Sequence, residues 1–276
     1  MIVPPEDYRK EIVPYRVFFN WEITYRCNYK CSYCVFGGAA TRRQSNYSIE
    51  NITNFSVSDI INSWEKIFES YKSCHIHLAG GEPFIYPNIF EILEEISKIH
   101  TWECSTNFFF DPENLIKRIP PDRVRLGLSF HPEFTTFETF FLKTKILKEA
   151  GYEVWVNYVA YPPYIHNMEF YKEKFAEIGI VMSILPFKGE YRGRQYPESY
   201  NEDEKNLLKK LGVEPWIKKT LEFFTEKQDI SDGRLCRMGQ MYAKIRPNGD
   251  AYHCCVEGGI KLGNLFDNTI RLLDEP

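Results

Sequence analysis

The stretch Val17-Phe-Phe-Asn-Trp-Glu-Ile-Thr24, followed three residues later by Cys27-Asn-Tyr-Lys-Cys31-Ser-Tyr-Cys34, decides how the chain is organised. Its first part is rich in β-branched and aromatic residues and predicts a buried strand. Its second part places three thiols within eight residues, so one short loop brings all three sulfurs to the same side. The predicted unit is therefore a strand that ends in a three-cysteine loop.

Five further strands are predicted downstream, and a pattern of apolar residues at helical spacing separates each from the next. The strands are His75–Ala79, Trp102–Thr106, Val124–Phe130, Glu153–Ala160 and Ile180–Pro186, and the helices are Ser58–Tyr71, Asn88–His100, Asp111–Ile119, Glu133–Ala150 and Met168–Ile178. Six such units predict an α/β fold with parallel strands and right-handed crossovers. Periodicity alone leaves open an open doubly wound sheet or a full or partial barrel.

The character of the chain changes after about residue 187. Residues 188–200 carry glycines, a proline and charges and predict a loop, and the patterns after it predict helices over Glu202–Leu211 and Pro215–Glu226. The turn Pro247-Asn-Gly-Asp250 then predicts a hairpin between strands Tyr242–Arg246 and Ala251–Cys255. We expect a core of residues 1–200, and a helical linker with a small appended hairpin module in residues 201–276.

Composition excludes several classes of protein. The 276 residues are 43% hydrophobic and 26% charged with a net charge of −4, which is typical of a globular chain and not of a disordered or coiled-coil one. The longest stretch free of Asp, Glu, Lys and Arg is the 15 residues Val154–Met168, which are too few to cross a bilayer. The charged N-terminus does not resemble a secretory signal, and no long basic run points to nucleic acid. We expect a cytoplasmic protein.

The eight cysteines are grouped rather than scattered. Three lie in the Cys27–Cys34 loop and three more are Cys236, Cys254 and Cys255. Clustering of this kind in an apparently cytosolic chain indicates metal ligands or redox groups rather than structural disulfides. The two isolated residues, Cys74 and Cys104, lie in or beside strands, where cysteine most often acts as a small apolar side chain.

Three thiolates in one loop suit an iron–sulfur cluster with an open position. A [4Fe–4S] cluster normally takes four thiolates, so three leave one iron free for another ligand. A zinc site is the alternative, but zinc sites usually combine paired C-x2-C units with a second pair of ligands downstream. The C-x3-C-x2-C spacing and the lack of a histidine in the loop argue against zinc.

The loop resembles the signature of the radical S-adenosylmethionine (radical SAM) superfamily. The resemblance implies that Cys27, Cys31 and Cys34 hold a [4Fe–4S] cluster whose unique iron binds the amino and carboxylate groups of SAM. An electron from the cluster would cleave SAM to methionine and a 5′-deoxyadenosyl radical, which abstracts hydrogen from a substrate. The superfamily core is a partial (β/α)6 TIM-type barrel, so the resemblance favours a partial barrel over an open doubly wound sheet.

Further motifs agree with the resemblance and supply candidate SAM ligands. Gly80-Gly-Glu-Pro83 follows the second strand, where glycines permit close backbone approach and Glu82 offers a carboxylate to an ammonium group. Polar residues close the third and fourth strands, at the ends where a βα barrel carries its site. His131 fits either a proton carrier or a capping residue. The residues implied to contact SAM are Tyr33, Gly80, Gly81, Glu82, Pro83, Asn107 and Ser129.

The second cysteine group resembles the opening half of a SPASM/Twitch auxiliary domain. Cys236, twelve residues, Gly249, four residues and Cys254 fit the pattern C-x(9–15)-G-x4-C. The resemblance implies a second iron–sulfur cluster, with Cys255 as the adjacent candidate ligand. Neighbours on a regular strand point to opposite faces, so at most one of Cys254 and Cys255 would then ligate. The further cysteines of a full SPASM domain do not follow, so a short Twitch form, an early end, or a hairpin that binds zinc or nothing stay open.

These observations predict a radical SAM enzyme, with SAM, an electron donor such as flavodoxin or ferredoxin, and one substrate as its partners. The substrate could be a ribosomal peptide, a protein side chain or a small polar molecule, and analogy with the relatives favours peptide or protein modification. The alternative is a non-catalytic iron–sulfur or zinc-binding module. Lys188, Arg192 and Arg194 predict a solvated loop, with an anion site near the barrel mouth as the second interpretation.

Overall fold

The computed structural model of the protein describes residues 17–34, 55–213, 236–254 and 259–275. Eleven strands lie in these ranges. They are β1 Phe18–Thr24, β2 His75–Gly80, β3 Thr101–Thr106, β4 Val124–Ser129, β5 Glu153–Ala160, β6 Met182–Pro186, β7 Gly189–Tyr191, β8 Arg194–Tyr196, β9 Tyr242–Ile245, β10 Asp250–Tyr252 and β11 Lys261–Asn264. Nine of them form one sheet in the order β11-β10-β9-β1-β2-β3-β4-β5-β6, and β7 pairs with β8 in a separate hairpin.

Strands β1 to β6 are all parallel neighbours in chain order, as the alternating pattern predicted. Six α-helices lie in the described ranges, and none of these is both long and apolar enough to cross a membrane. They are α1 Val57–Tyr71, α2 Ile89–Ile99, α3 Pro112–Ile116, α4 Phe137–Glu149, α5 Met168–Glu177 and α6 Glu202–Lys210. The carboxyl ends of the six parallel strands therefore meet at one rim, the arrangement of a partial barrel that is not closed.

The sheet buries one face against the helices. On β1, Phe19 and Trp21 are fully buried and their rings contact Trp64 of α1, with centroids 5.6 and 5.3 Å apart. The residues between them on the strand point to the other face of the sheet, because successive side chains on a strand alternate between its two faces. Aromatic packing of this size supplies much of the core and fixes β1, which carries the cysteine loop.

The opposite face is polar and most of its charges are paired. Glu22 of β1 and Lys244 of β9 form a buried ion pair at 2.8 Å, and the Tyr25 hydroxyl donates to the same carboxylate. Arg125 of β4 pairs with Glu153 of β5. Strand register aligns one polar row across five strands of this inner face: Asn20, His77, Glu103, Arg125 and Glu153.

The C-terminal strands continue the main sheet. Strand β9 lies parallel to β1 with Phe18 opposite Tyr242, β10 returns antiparallel to β9, and β11 adds a third strand that sequence reasoning missed. The predicted hairpin is present, and its strands share the sheet of the barrel core. The proposed division at residues 200 and 201 remains a prediction, and the predicted helix Pro215–Glu226 lies outside the described residues.

Two local expectations changed in length or kind. Helix α3 begins after the N-cap Asp111 as predicted but ends at Ile116, because Pro120 and Pro121 exclude further helix. The segment predicted as a loop after β6 instead contains the β7–β8 hairpin, whose turn uses Arg192 and Gly193 at positive φ. Three-residue strands are too short to leave an alternating pattern in sequence.

Candidate functional site

The cysteine loop, Cys27–Cys34, leaves the carboxyl end of β1 at the rim of the barrel. Cys27 is exposed, Cys34 is half-buried and Cys31 is buried. The backbone N–H of Tyr29 donates to Cys27 Sγ at 3.4 Å, and that of Cys34 donates to the Cys31 carbonyl at 3.1 Å. Burial, followed by the nearby charges of Cys34, Glu133 and Cys27, raises the pKa of Cys31 to about 12. The charges of Cys27 and Cys34 thus act on Cys31, and the binding of one cluster by the three thiols stays a prediction.

The Gly80-Gly81 turn packs directly against the base of that loop. The N–H of Gly81 donates to the Thr24 carbonyl and the N–H of Glu82 to the Arg26 carbonyl, both at 2.8 Å. A Cβ on Gly80 would lie 2.1 Å from the Thr24 carbonyl oxygen, and one on Gly81 equally close to that of Arg26. No side chain fits there, so the glycines allow β2 to hold the cysteine loop by backbone contact.

Glu82 is almost completely buried and its carboxylate is already hydrogen-bonded. Oε1 accepts from the Phe84 N–H at 3.0 Å and from the Thr106 hydroxyl at 2.8 Å, and Oε2 accepts from the Asn107 N–H at 2.6 Å. Burial raises its pKa to about 7, although these hydrogen bonds oppose the shift. Glu82 therefore fixes the end of β3 beside the loop. Its predicted contact with the SAM ammonium stays a prediction.

Asn107 and Ser129 end their strands at the same rim. The Asn107 amide donates to Asn28 Oδ1 at 2.8 Å and approaches Cys27 Sγ at 3.8 Å, so it contacts the cysteine loop itself. Ser129 is half-buried on the inner face and lies opposite Asn157 of β5. Pro83 begins a short 3-10 turn after Glu82 and is buried. All the residues implied to contact SAM thus lie on consecutive strand ends or on the loop.

The turn of residues 130–136, between β4 and α4, meets the cysteine loop from the other side. His131 Nδ1 lies 3.0 Å from the Tyr33 hydroxyl and 3.5 Å from Cys31 Sγ. Glu133 Oε2 accepts the N–H of Ser32 at 2.9 Å. Burial lowers the pKa of His131 to about 4, so the ring is neutral at ordinary pH. Sequence reasoning left His131 open between a proton carrier and a capping residue, and it missed Glu133, whose partner is 101 residues away.

The contacts between the three-cysteine loop and the ends of three neighbouring parallel strands are one indication of the family. A comparison with protein-family models supplies another. Residues 21–169 match the model of the radical SAM superfamily, and this range holds the cysteine loop, the glycine turn, Asn107 and Ser129. The chain belongs to the radical SAM superfamily.

Relatives of this radical SAM chain extend the comparison. A Methanocaldococcus jannaschii protein, whose name proposes a glycyl-radical enzyme activating role, is 28% identical over 116 residues, or 40% of this chain and 39% of that protein. SuiB of Streptococcus suis has the same fold with a TM-score of 0.60 at 16% identity, over 95% of this chain and 66% of SuiB. Native anSMEcpe with bound AdoMet gives 0.62 at 17% identity, over 92% and 79%. The radical SAM chain thus spans about two fifths of the curated relative it matches.

The residues present fit the cluster that the superfamily implies. Three thiols converge on one loop, and N–H groups of the loop and of Asn107 point at Cys27 Sγ. Among the described residues, no three His, Cys, Asp or Glu side chains stand close enough to hold a single metal ion. A four-iron cluster is wider than an ion, so its thiolates stand further apart than the ligands of zinc. The donor set suits the cluster better than zinc.

The second cysteine group lies at the opposite end of β1. Cys236 precedes β9 and Cys254 follows β10, and both stand where β9 begins, beside the amino end of β1. The seven residues of β1 span about 20 Å at ~3.3 Å per residue. Strand β10 ends at Tyr252, so the argument from alternating strand faces does not apply at Cys254, and Cys255 lies outside the described residues. Cys236 is exposed and Cys254 half-buried.

Proposed function

We propose that this chain is a radical SAM enzyme in which Cys27, Cys31 and Cys34 hold a [4Fe–4S] cluster and the rim of the barrel binds SAM. The observation that carries the proposal is the convergence of the cysteine loop, the Gly80-Gly81 turn and Asn107 on three adjacent strand ends. When bound, the cluster supplies the electron that cleaves SAM to methionine and a 5′-deoxyadenosyl radical.

The chain's own residues bind and orient. Gly81 and Glu82 hold the base of the cysteine loop through backbone hydrogen bonds, while Glu82 fixes Asn107. Tyr33, buried and hydrogen-bonded to His131, presents its ring at the rim in the position implied to pack near adenine. Such preorganisation places the reactive carbon against one C–H bond, which is the role of the protein in cofactor chemistry.

The polar inner face below this rim is the surface on which we place the substrate. Its charges are paired across strands, as in Glu22–Lys244 and, at the amino ends of β4 and β5, Arg125–Glu153. The face also presents neutral groups, of which Ser105 is exposed and Ser129, at the end of β4, is half-buried. A radical is quenched by solvent, so the substrate has to fill this space while the radical exists. The surface offers neutral hydrogen bonds and favours a polar backbone or side chain.

We infer a peptide or protein substrate in preference to a small molecule. Three similar proteins support this inference: SuiB has a structure with its precursor peptide, anSMEcpe has structures with peptides, and the M. jannaschii relative is named for activation of an enzyme. Oxidation of a sugar or natural product by the same chemistry is the second candidate, since the polar groups of the inner face also suit a small polar molecule.

An auxiliary iron–sulfur cluster at Cys236 and Cys254, with Cys255 as a further ligand, is part of the same proposal. The SPASM/Twitch-like spacing supports it, as does the position of Cys236 ahead of β9 and of Cys254 after β10. A cluster there would accept an electron from the substrate on the far side of the barrel from SAM. Flavodoxin or ferredoxin is the proposed reductant of the first cluster.

The direct test of SAM cleavage uses anaerobically reconstituted protein. Incubation with SAM and dithionite should release 5′-deoxyadenosine, measured by chromatography against protein that was never given iron and sulfide. A protein that takes up a [4Fe–4S] cluster, by its absorption and iron content, but releases no 5′-deoxyadenosine would support the non-catalytic module instead.

The substrate class can be tested by transfer of a label. Extract of source cells grown in heavy water is separated by size, and each fraction is added to the cleavage reaction in ordinary water. The fraction that holds the substrate should pass deuterium to 5′-deoxyadenosine, read by mass spectrometry. Deuterium transfer confined to the small-molecule fraction would overturn the peptide or protein assignment.

A further inference from the structure

The turn of residues 130–136 grips the cysteine loop through four separate contacts. Glu133 binds the Ser32 amide, His131 binds the Tyr33 hydroxyl, and the same His131 nitrogen approaches Cys31 Sγ. The ring of Phe134 stacks on Tyr29 with centroids 4.4 Å apart and planes 9° apart. The contacted loop residues run from Tyr29 to Tyr33, so the turn acts as a clamp on most of the segment.

Glu133 brings a negative charge into this clamp. Ser32 lies between Cys31 and Cys34, so the carboxylate stands beside the thiols that bind the cluster. The contact with the Ser32 N–H at 2.9 Å places the carboxylate one residue along the backbone from Cys31. The carboxylate also occupies the Ser32 N–H, which otherwise could donate to a sulfur.

We propose that Glu133 is a positioning residue for the iron–sulfur cluster, and that its charge also holds the reduction potential of that cluster low. This inference rests on the proposed function. Reduction adds an electron to a cluster that already bears negative thiolates, so a nearby carboxylate opposes it. Occupation of the Ser32 amide acts in the same direction, because hydrogen bonds to cluster sulfurs stabilise the reduced form. A low potential favours transfer of the electron onward to SAM.

Two variants separate the charge of Glu133 from its hydrogen bond. Glu133→Gln keeps an oxygen that accepts from Ser32 and removes the charge, while Glu133→Asp keeps the charge and shortens the reach. The matched control is Glu138→Gln, an exposed glutamate in the first turn of the adjacent helix. The readouts are the midpoint potential of the cluster, from an EPR-monitored titration, and iron per chain.

We expect Glu133→Gln to keep its iron and to raise the ratio of reduced to oxidised cluster about tenfold at a fixed applied potential. For a one-electron couple that ratio corresponds to about 59 mV. Glu133→Asp should keep the wild-type potential and retain iron about tenfold less well, in line with the loss of an outer contact of a metal ligand. Glu138→Gln should match the wild type in both measurements.

Three results would overturn the inference. They are a Glu133→Gln potential equal to that of the wild type, an equal shift in Glu138→Gln, and a folded Glu133→Gln protein that holds no cluster although the acceptor oxygen is kept. The proposed function fails separately: wild-type protein with an intact cluster that never cleaves SAM contradicts it while the potentials remain measurable. Wild-type protein that takes up no cluster contradicts both.

Discussion

The two cysteine groups of this chain stand at opposite ends of β1 and differ in how they are held. The first, in the Cys27–Cys34 loop, receives contacts from the ends of β2, β3 and β4. At the second, Cys236 is exposed ahead of β9, and Cys254 lies in a bend after β10. The neighbouring His253 exchanges hydrogen bonds with Ile260 just before β11.

The difference shows what a parallel sheet contributes to a site. Consecutive strand ends meet at one rim, so residues distant in sequence can grip one loop together. At the second group, the described contacts come from the antiparallel β9–β10 hairpin and the segment before β11. We therefore expect the first group to bind its cluster in a prearranged loop, and the second to depend more on the cluster for its own order.

The largest expected effect comes from deleting one cysteine of each group. Cys31→Ala should reduce 5′-deoxyadenosine release at least about a thousandfold, because loss of a ligand exceeds the 10–100-fold cost of an outer-shell change. Cys236→Ala should keep SAM cleavage within a few fold and lose turnover of the substrate. Product analysis and iron per chain measure both effects, and Cys74→Ala, a change at a buried cysteine just before β2, is the control for loss of a thiol.

Equal loss of SAM cleavage in Cys31→Ala and Cys236→Ala would contradict separate roles for the two groups. Both cysteine groups would then have to serve one shared site, although β1 separates them by about 20 Å.

The second prediction tests whether the C-terminal strands β9 to β11 unfold together with the parallel strands β1 to β6. Lys244 of β9 pairs with Glu22 of β1 where both are buried, so Lys244→Met leaves a buried carboxylate without its cation. Breaking such a pair costs about 3–5 kcal/mol. We expect one cooperative urea transition at lower free energy of unfolding, and partial recovery in the double variant Glu22→Gln with Lys244→Met.

Two separate urea transitions, with only the smaller one shifted by Lys244→Met, would show instead that the C-terminal strands fold independently. That outcome would support a domain boundary near residues 200 and 201, and it would contradict cooperative unfolding of the whole sheet.

The same contrast explains what sequence could predict. The core strands and helices were predicted to within a few residues, because burial of one face leaves a periodic pattern. Glu22 and Lys244 are 222 residues apart, and nothing in either segment names the other as its partner. Strand β11 and the β7–β8 hairpin are too short for periodicity. The cysteine loop was recognisable because all its ligands lie in one stretch, whereas Glu133 joins it only through the fold.

The third prediction concerns how the stability supplied by Glu82, beside the Cys27–Cys34 loop, depends on pH. The pKa of Glu82 rises to about 7 from 4.5, so the folded protein binds this proton more tightly than the unfolded chain. The stability that this supplies is complete below pH 4.5 and is lost as the pH rises through 7. The shift corresponds to roughly 3 kcal/mol. In urea unfolding of iron-free protein, the free energy of unfolding of the wild type minus that of Glu82→Gln should increase as the pH falls from 8 to 4.5.

A gap that stays constant over this range would show that Glu82 keeps an ordinary pKa. Its three hydrogen bonds would then outweigh its burial, and the carboxylate would be charged beside the cluster at every working pH.

The smallest expected effect compares one asparagine from each region. Asn107 joins the end of β3 to the cysteine loop through Asn28, and Asn264 joins β11 to the hairpin turn through Asn248 and Asp250. Each Asn→Ala change removes hydrogen bonds worth about 0.5–1.5 kcal/mol, or about 2–10-fold. Asn107→Ala should therefore speed loss of iron from the first cluster 2–10-fold and raise the SAM concentration needed for half-maximal cleavage. Asn264→Ala should lower thermal stability by a similar free energy and leave both quantities unchanged. Equal rates of iron loss from the first cluster in Asn264→Ala and Asn107→Ala would contradict this prediction. The stability of the rim would then depend on the whole sheet, and the local contacts of Asn107 would not distinguish the two cysteine groups.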